Sequence, residues 1–231
     1  MTTVKTREEF PQIVGKICID QDPINPREWE NIGTISYWHS RYKLGDEKVT
    51  DIEDFLVRRL EDIDPKGENE SISSLISALK GEIYPEDIDN SYTHDHVMQE
   101  AFSKVRTKFI VVPVFCYEHS GIALRTTPFR CPWDSGYVGM AWTEKGSEGL
   151  SDEGLTNTLG IEIETYSQYL SGEVYTFIVE VEGDVVECCG GFYSEAEAEY
   201  EMECAMNFQA KKIEKENQEV KYWNNRDVVT L

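Results

Sequence analysis

Two hydrophobic periods alternate along the chain. Ile13 to Ile19 is short, apolar and bounded by charged residues, which predicts a first strand. Asp22 to Asp46, with its prolines and glycines, reads as irregular or extended chain crossing a site. Helical spacing follows: Asp51 to Asp62 sets Ile52, Phe55, Leu56 and Leu60 on one face, and Ser71 to Lys80 does the same with Ile72, Leu75, Ile76 and Leu79. Pro65, Gly67 and Asn69 connect them, and Tyr92 to Lys104 forms a third helix. The apolar run Phe109 to Tyr117 has the length and valine content of a strand and is expected at the centre of a sheet. Ile122 to Thr126 and Tyr137 to Trp142 extend that sheet across the loop Thr127 to Gly136. Val174 to Val181 and Val185 to Cys188 predict a hairpin turning at Gly183-Asp184, the reverse of the favoured Asp-Gly order.

From Ser194 glutamate alternates with small or apolar residues, a period of two that suits an edge strand. Helix is nonetheless predicted, because Ala198, Met202, Ala205, Met206 and Ile213 share a helical face and Ser194 with Glu197 forms a capping-box pattern. The expected fold is therefore α+β: a mostly antiparallel central sheet, flanking helices and a C-terminal acidic helix. At 231 residues and 40% hydrophobic content, one domain spanning 1–231 is expected, mainly helical over 1–105 and sheet-rich over 106–231.

Charge changes the picture more than any motif. Acids outnumber bases 44 to 22, and the 65 residues from Gly146 to Ala210 hold no lysine or arginine beside 15 acids. Such a surface repels phosphate backbones and attracts basic ones, so direct nucleic-acid binding is not expected. The densest stretch is Glu195, Glu197, Glu199, Glu201 and Glu203, preceded by Glu180, Glu182 and Asp184. Taken along a helix axis, five charges in eight steps fall about 3 Å apart, close to the 3.4 Å or so of one DNA strand. The i,i+4 pairs repel with no lysine interleaved, whereas a helix selected for stability alone would alternate Glu with Lys. No run is long and apolar enough for a membrane span, and Met1 to Phe10 lacks a signal-peptide core. Six irregularly spaced cysteines read as reduced thiols, so a cytoplasmic location is expected.

Chemistry-bearing residues are sparse. The loop before Tyr137 carries Cys131, Trp133, Asp134 and Ser135, which with His119 suggests a hydrolase alternative: Cys131 as nucleophile, His119 as base, Asp134 as orienter. No G-x-S-x-G elbow or cysteine-protease motif accompanies them, and the preferred expectation is a non-enzymatic protein in which Phe129 and Trp133 plug the core while Asp134 and Ser135 bond the loop backbone. His39 and Arg41, flanked by Trp38 and Tyr42, suit a small anion or carboxylate. Cys116-x-x-His119 has metal-ligand spacing without a second close pair, so neither metal nor cofactor is expected.

Two segments carry a wider resemblance. Pro26-Arg27-Glu28-Trp29-Glu30-Asn31-Ile32-Gly33-Thr34 running on to Trp38-His39-Ser40-Arg41-Tyr42-Lys43-Leu44-Gly45-Asp46-Glu47 is one; His119-Ser120-Gly121 and Pro128-Phe129-Arg130-Cys131-Pro132-Trp133-Asp134-Ser135-Gly136-Tyr137-Val138-Gly139 is the other. Together they resemble an uncharacterised family of proteins encoded by bacteriophages and mobile elements. The resemblance implies no catalytic residue. It implies a bacterial cytoplasm as the setting and, by analogy with acidic inhibitors of host defence, a basic, nucleic-acid-handling host protein as partner, bound by DNA mimicry as in anti-restriction or anti-CRISPR proteins.

Overall fold

Fifteen elements alternate along the computed structural model, which describes residues 3–119, 121–131 and 133–227. The first half holds β1 (Thr3–Thr6), β2 (Ile13–Ile19), β3 (Thr34–Tyr37), β4 (Glu47–Lys48), α1 (Ile52–Ile63), α2 (Glu70–Leu79), α3 (Pro85–Ile88) and α4 (His94–Lys108). The second holds β5 (Phe109–Glu118), β6 (Ile122–Arg125), β7 (Ser135–Glu144), α5 (Asp152–Ser171), β8 (Tyr175–Val181), β9 (Asp184–Phe192) and α6 (Glu195–Asp227). The fold is α+β with a C-terminal helix, as expected, but the strands form two sheets rather than one central sheet. The chain divides into two compact units, Met1–Ile24 with Gln168–Leu231, and Asn25–Ser167.

The first unit is an antiparallel sheet of order β1-β2-β8-β9 with α6 across one face. Helix α6 starts where Ser194 Oγ accepts the Glu197 N–H at 3.4 Å and the Ser194 carbonyl accepts the Ala198 N–H at 3.1 Å. Its stripe of Ala198, Met202, Ala205, Met206 and Ala210 meets Ile13, Ile17, Phe177 and Val179. Each large side chain buried this way contributes roughly 1.5–3 kcal/mol. Gly15 lets the helix approach: a Cβ there would lie 2.6 Å from Met206 Sδ and 2.7 Å from Met202 Sδ. The β8–β9 turn is centred on Glu182-Gly183, not on Gly183-Asp184. Val181 pairs with Asp184, and both turn residues have positive φ (55° and 92°), the signature of a two-residue type I′ turn.

The second unit is built on a sheet of order β4-β3-β7-β5-β6, antiparallel except for β3–β4. The central strand is therefore β7, with Phe109–Glu118 beside it. Helices α1 and α2 begin at Asp51, which accepts from Asp54 N–H at 2.9 Å, and Asn69, which accepts from Ile72 N–H at 3.2 Å. Phe55, Leu56, Leu60, Leu75, Val97 and Val105 enclose a core that reaches Phe109 and Met140 of the sheet. The irregular segment expected over 22–46 contains β3. Helix α5, absent from the predicted elements, buries Leu155, Leu159, Ile163 and Tyr166. The part of it up to Ser167, which belongs to this unit, is held by hydrogen bonds from Leu124 N–H to Ser167 Oγ (2.8 Å) and from Tyr166 Oη to the Lys43 carbonyl (3.2 Å).

Candidate functional site

The strand order of the second unit brings the two sequence motifs together. Antiparallel pairing sets Tyr37, the end of β3, opposite Gly139, and Tyr117, near the end of β5, opposite Ser135, so the start of β7 lies between those two strand ends. The result is a cleft of about 260 Å³ lined by His39, Arg41, Glu118, Trp133, Asp134, Ser135, Gly136 and Val138. All five residues expected of a ligand loop, His39, Arg41, Trp133, Asp134 and Ser135, are in it. Glu118 was not foreseen, although a carboxylate closing an apolar strand was a visible signal.

Glu118 organises the cleft. It accepts from His39 Nε2 at 2.7 Å and pairs with Arg41 Nη2 at 2.5 Å. His39 Nδ1 accepts the backbone N–H of Tyr42 (3.1 Å) and lies 3.3 Å from that of Arg41. An imidazole whose Nδ1 accepts carries its proton on Nε2, so His39 donates to Glu118 while its ring lone pair is engaged by the Tyr42 N–H. Trp133 is 90% exposed and does not plug the core. Phe129 is half-buried, stacked between Tyr117 (5.4 Å between ring centres) and the Arg125 guanidinium, 3.7 Å from its ring centre. Ser135 Oγ donates to the Cys131 carbonyl and so fixes the loop, as expected; Asp134 instead takes its contacts from side chains. Ser120 and Pro132 of the second motif lie outside the described residues.

Cys131, Asp134 and His119 are neighbours in an order unlike that of a nucleophilic triad. Asp134 Oδ2 accepts from Cys131 Sγ at 3.6 Å and stands 3.6 Å from His119 Nδ1, so the carboxylate lies between thiol and imidazole. A nucleophile–base–orienter chain places the imidazole in the middle. Cys116 is buried, and desolvation first, then Glu118, pushes its thiol up to about 11, which keeps it protonated at neutral pH. Among the described residues no three His, Cys, Asp or Glu side chains group as metal ligands.

Much of the first motif is occupied by structure. The Arg27 side chain, 6% exposed, donates to Asp46 at 3.0 and 2.6 Å, to Glu162 at 3.3 Å and to the Gly33 carbonyl at 2.6 Å. Glu162 also accepts from Ile32 N–H at 2.8 Å, and Asp46 from Ile35 N–H at 2.7 Å. Gly33 has no room for a side chain, because a Cβ would collide with Leu159 and stand 2.8 Å from Glu162 Oε2.

No family model, curated protein or solved structure matches this chain. Function has then to be read from the surfaces themselves.

The other surface is acidic and belongs to the first unit. The five glutamates of α6 do not form one row. Glu195, Glu199 and Glu203 line the flank facing β1, where Thr3 Oγ1 donates to Glu195 (3.2 Å) and Lys5 pairs with Glu199 and, at 2.6 Å, with Glu203. Glu197 and Glu201, both exposed, lie on the opposite flank, since two steps turn a helix by about 200°. Within a row the repeat is four residues, or about 6 Å, not the 3 Å obtained by counting every charge. Glu180 is committed to Lys16 at 2.5 Å and is 19% exposed, which withdraws it from the acidic face. Glu182 and Asp184 sit on the β8–β9 turn, and Asp184 through Gly191 of β9 are exposed.

Proposed function

We propose that the protein works by stoichiometric binding of a basic, nucleic-acid-handling protein, with the acidic face of α6 and the β8–β9 turn standing in for phosphates. The observation that carries this reading is the acids Glu182, Asp184 and Glu187 at the β8–β9 edge and Glu195, Glu199 and Glu203 on the α6 flank toward β1, all inside a stretch without any lysine or arginine, where Lys5 is the one cation seen to pair with the α6 row among the described residues. One lysine against six acids leaves a net excess of negative charge, which steers an oppositely charged partner and selects against nucleic acid. In the bacteriophage setting that the sequence motifs imply, host defence proteins are the natural partners. Capture from a bacterial lysate, eluted with rising salt, tests this. Basic nucleic-acid-binding proteins should elute late from wild type and several-fold less abundantly from E195Q/E199Q/E203Q. Capture untouched by that variant but lost with W133A would move the binding surface to the His39–Glu118–Trp133 cleft, where the convergence of five motif residues favours a small-ligand site as the second reading.

A further inference from the structure

Helix α6 is longer than the sheet it covers. Its buried residues end at Ala210, with Ile213 partly buried, yet the helix continues to Asp227 through residues 214–223 that are exposed throughout. Helical stability in proteins comes mainly from packing one face, and past Ala210 little of the chain packs on α6. The outward face carries a pattern of its own. Glu197, Glu201, Cys204, Phe208, Lys211 and Lys215 follow one another at spacings of four, three, four, three and four, the repeat of a coiled-coil seam. All six are exposed, and Phe208 is 64% exposed. The spacing reads the same in both directions while the charge reverses: acids at one end, an apolar pair in the middle, bases at the other.

We infer that this stripe is the interface of an antiparallel homodimer, in which α6 of one copy packs on α6 of a second about a two-fold axis at Met206. Under that operation Glu197 meets Lys215 of the second copy, Glu201 meets Lys211, and Cys204 meets Phe208, with each contact made twice. Tyr200, 65% exposed beside the stripe, faces Lys212 of the second copy. An isologous interface needs such self-complementarity, and single-copy geometry offers little competition for these charges. Among the described residues Glu197, Glu201 and Lys211 have no ion pair, and Lys215 reaches only Glu219, at 4.0 Å. Met202 and Ala205 stay on the sheet-facing side, and Glu195, Glu199 and Glu203 lie off the seam, so the inference does not depend on the partner proposed above.

Charge exchange tests it in the intact protein by sedimentation equilibrium at physiological salt. Wild type should self-associate. E197K/E201K and K211E/K215E should each weaken dimerisation by about tenfold or more, because like charges then face each other. The first of these lowers the overall negative charge and would strengthen any non-specific association, so its loss is diagnostic. An equimolar mixture of the two double variants restores all four pairs and should dimerise about as well as wild type. As a second measurement, F208C places a thiol opposite Cys204 of the second copy and should give a covalent dimer on mild oxidation, abolished by adding C204A. A wild type that stays monomeric to about 100 µM, or double variants that do not recover on mixing, would overturn the inference.

Discussion

Two buried arginines of the second unit do opposite things for stability. Arg27 spreads its donors over Asp46, Glu162 and the Gly33 carbonyl; burial alone would lower its guanidinium, but the carboxylates outweigh burial and hold it above its ordinary value. At Arg59 burial wins over Asp62 and Glu47 and lowers it, and its Nε and Nη1 have no hydrogen-bond acceptor. Asp62 Oδ2 stands 3.1 Å from its Nε, outside hydrogen-bond geometry, Glu47 Oε2 is 3.7 Å from Nη2, and the guanidinium stacks 3.7 Å from the Trp142 ring centre. Removing one partner from a buried network leaves the others unpaired, whereas replacing an ill-satisfied buried charge by an apolar chain of like size is often neutral. Arg27→Met should therefore cost about 3–5 kcal/mol, and Arg59→Met less than about 1 kcal/mol or even a slight gain. Urea unfolding of the two variants decides this, and equal losses would mean that the Trp142 stack contributes as much as the Arg27 network.

Among the elements, those whose apolar spacing is undiluted were legible in sequence: β2, α1, α2, α4, β5 and the β8–β9 pair all lie within a few residues of expectation. Helix α5 was not, because Gly154, Gly160 and three threonines lower its helix propensity, although Leu155, Leu159 and Ile163 keep a four-residue spacing behind a Ser151 start. Strand β3 was hidden by the prolines and glycines around it, and the split into two sheets was not legible because periodicity fixes elements and not their partners. In the site, the motif residues did converge, while Glu118 and the two-sided glutamates needed three dimensions. The β8–β9 turn shows the same limit: its type depended on φ at Glu182, 55°, a value uncommon for a residue with a Cβ. Glu182→Asn keeps a side chain suited to that region and should raise stability by about 0.5–1 kcal/mol in thermal unfolding. A loss instead would show that the Glu182 carboxylate has a stabilising role in the turn.

Across the whole molecule, the question is whether any surface is basic enough to hold a polyanion. The formal charge of −22 sets the far field, but binding is decided within roughly 8–10 Å of the contact. Two described stretches are base-rich: the end of α4, with Lys104, Arg106 and Lys108, and the end of α6, where Lys211, Lys212, Lys215 and Lys221 share about three turns with Glu214, Glu216 and Glu219. The α6 lysines follow directly on the acidic half of the same helix, and the proposed dimer would set Lys211 and Lys215 against Glu201 and Glu197 of the second copy. At the end of α4, Lys108 pairs with Glu144 at 3.2 Å. Counterion release, which drives phosphate binding, needs several uncompensated cations on one face, and neither stretch amounts to one against a formal charge of −22. Labelled duplex DNA and single-stranded RNA should accordingly show no anisotropy change with wild type at low salt, the condition most favourable to binding. The informative comparison is E197K/E201K, which removes the facing acids and adds two cations to the same helix face as Lys211 and Lys215. Weak, salt-sensitive DNA binding by that variant alone would agree with acids on this helix masking its lysines. Submicromolar binding by wild type would show that the acidic face governs neither partner choice nor exclusion of nucleic acid.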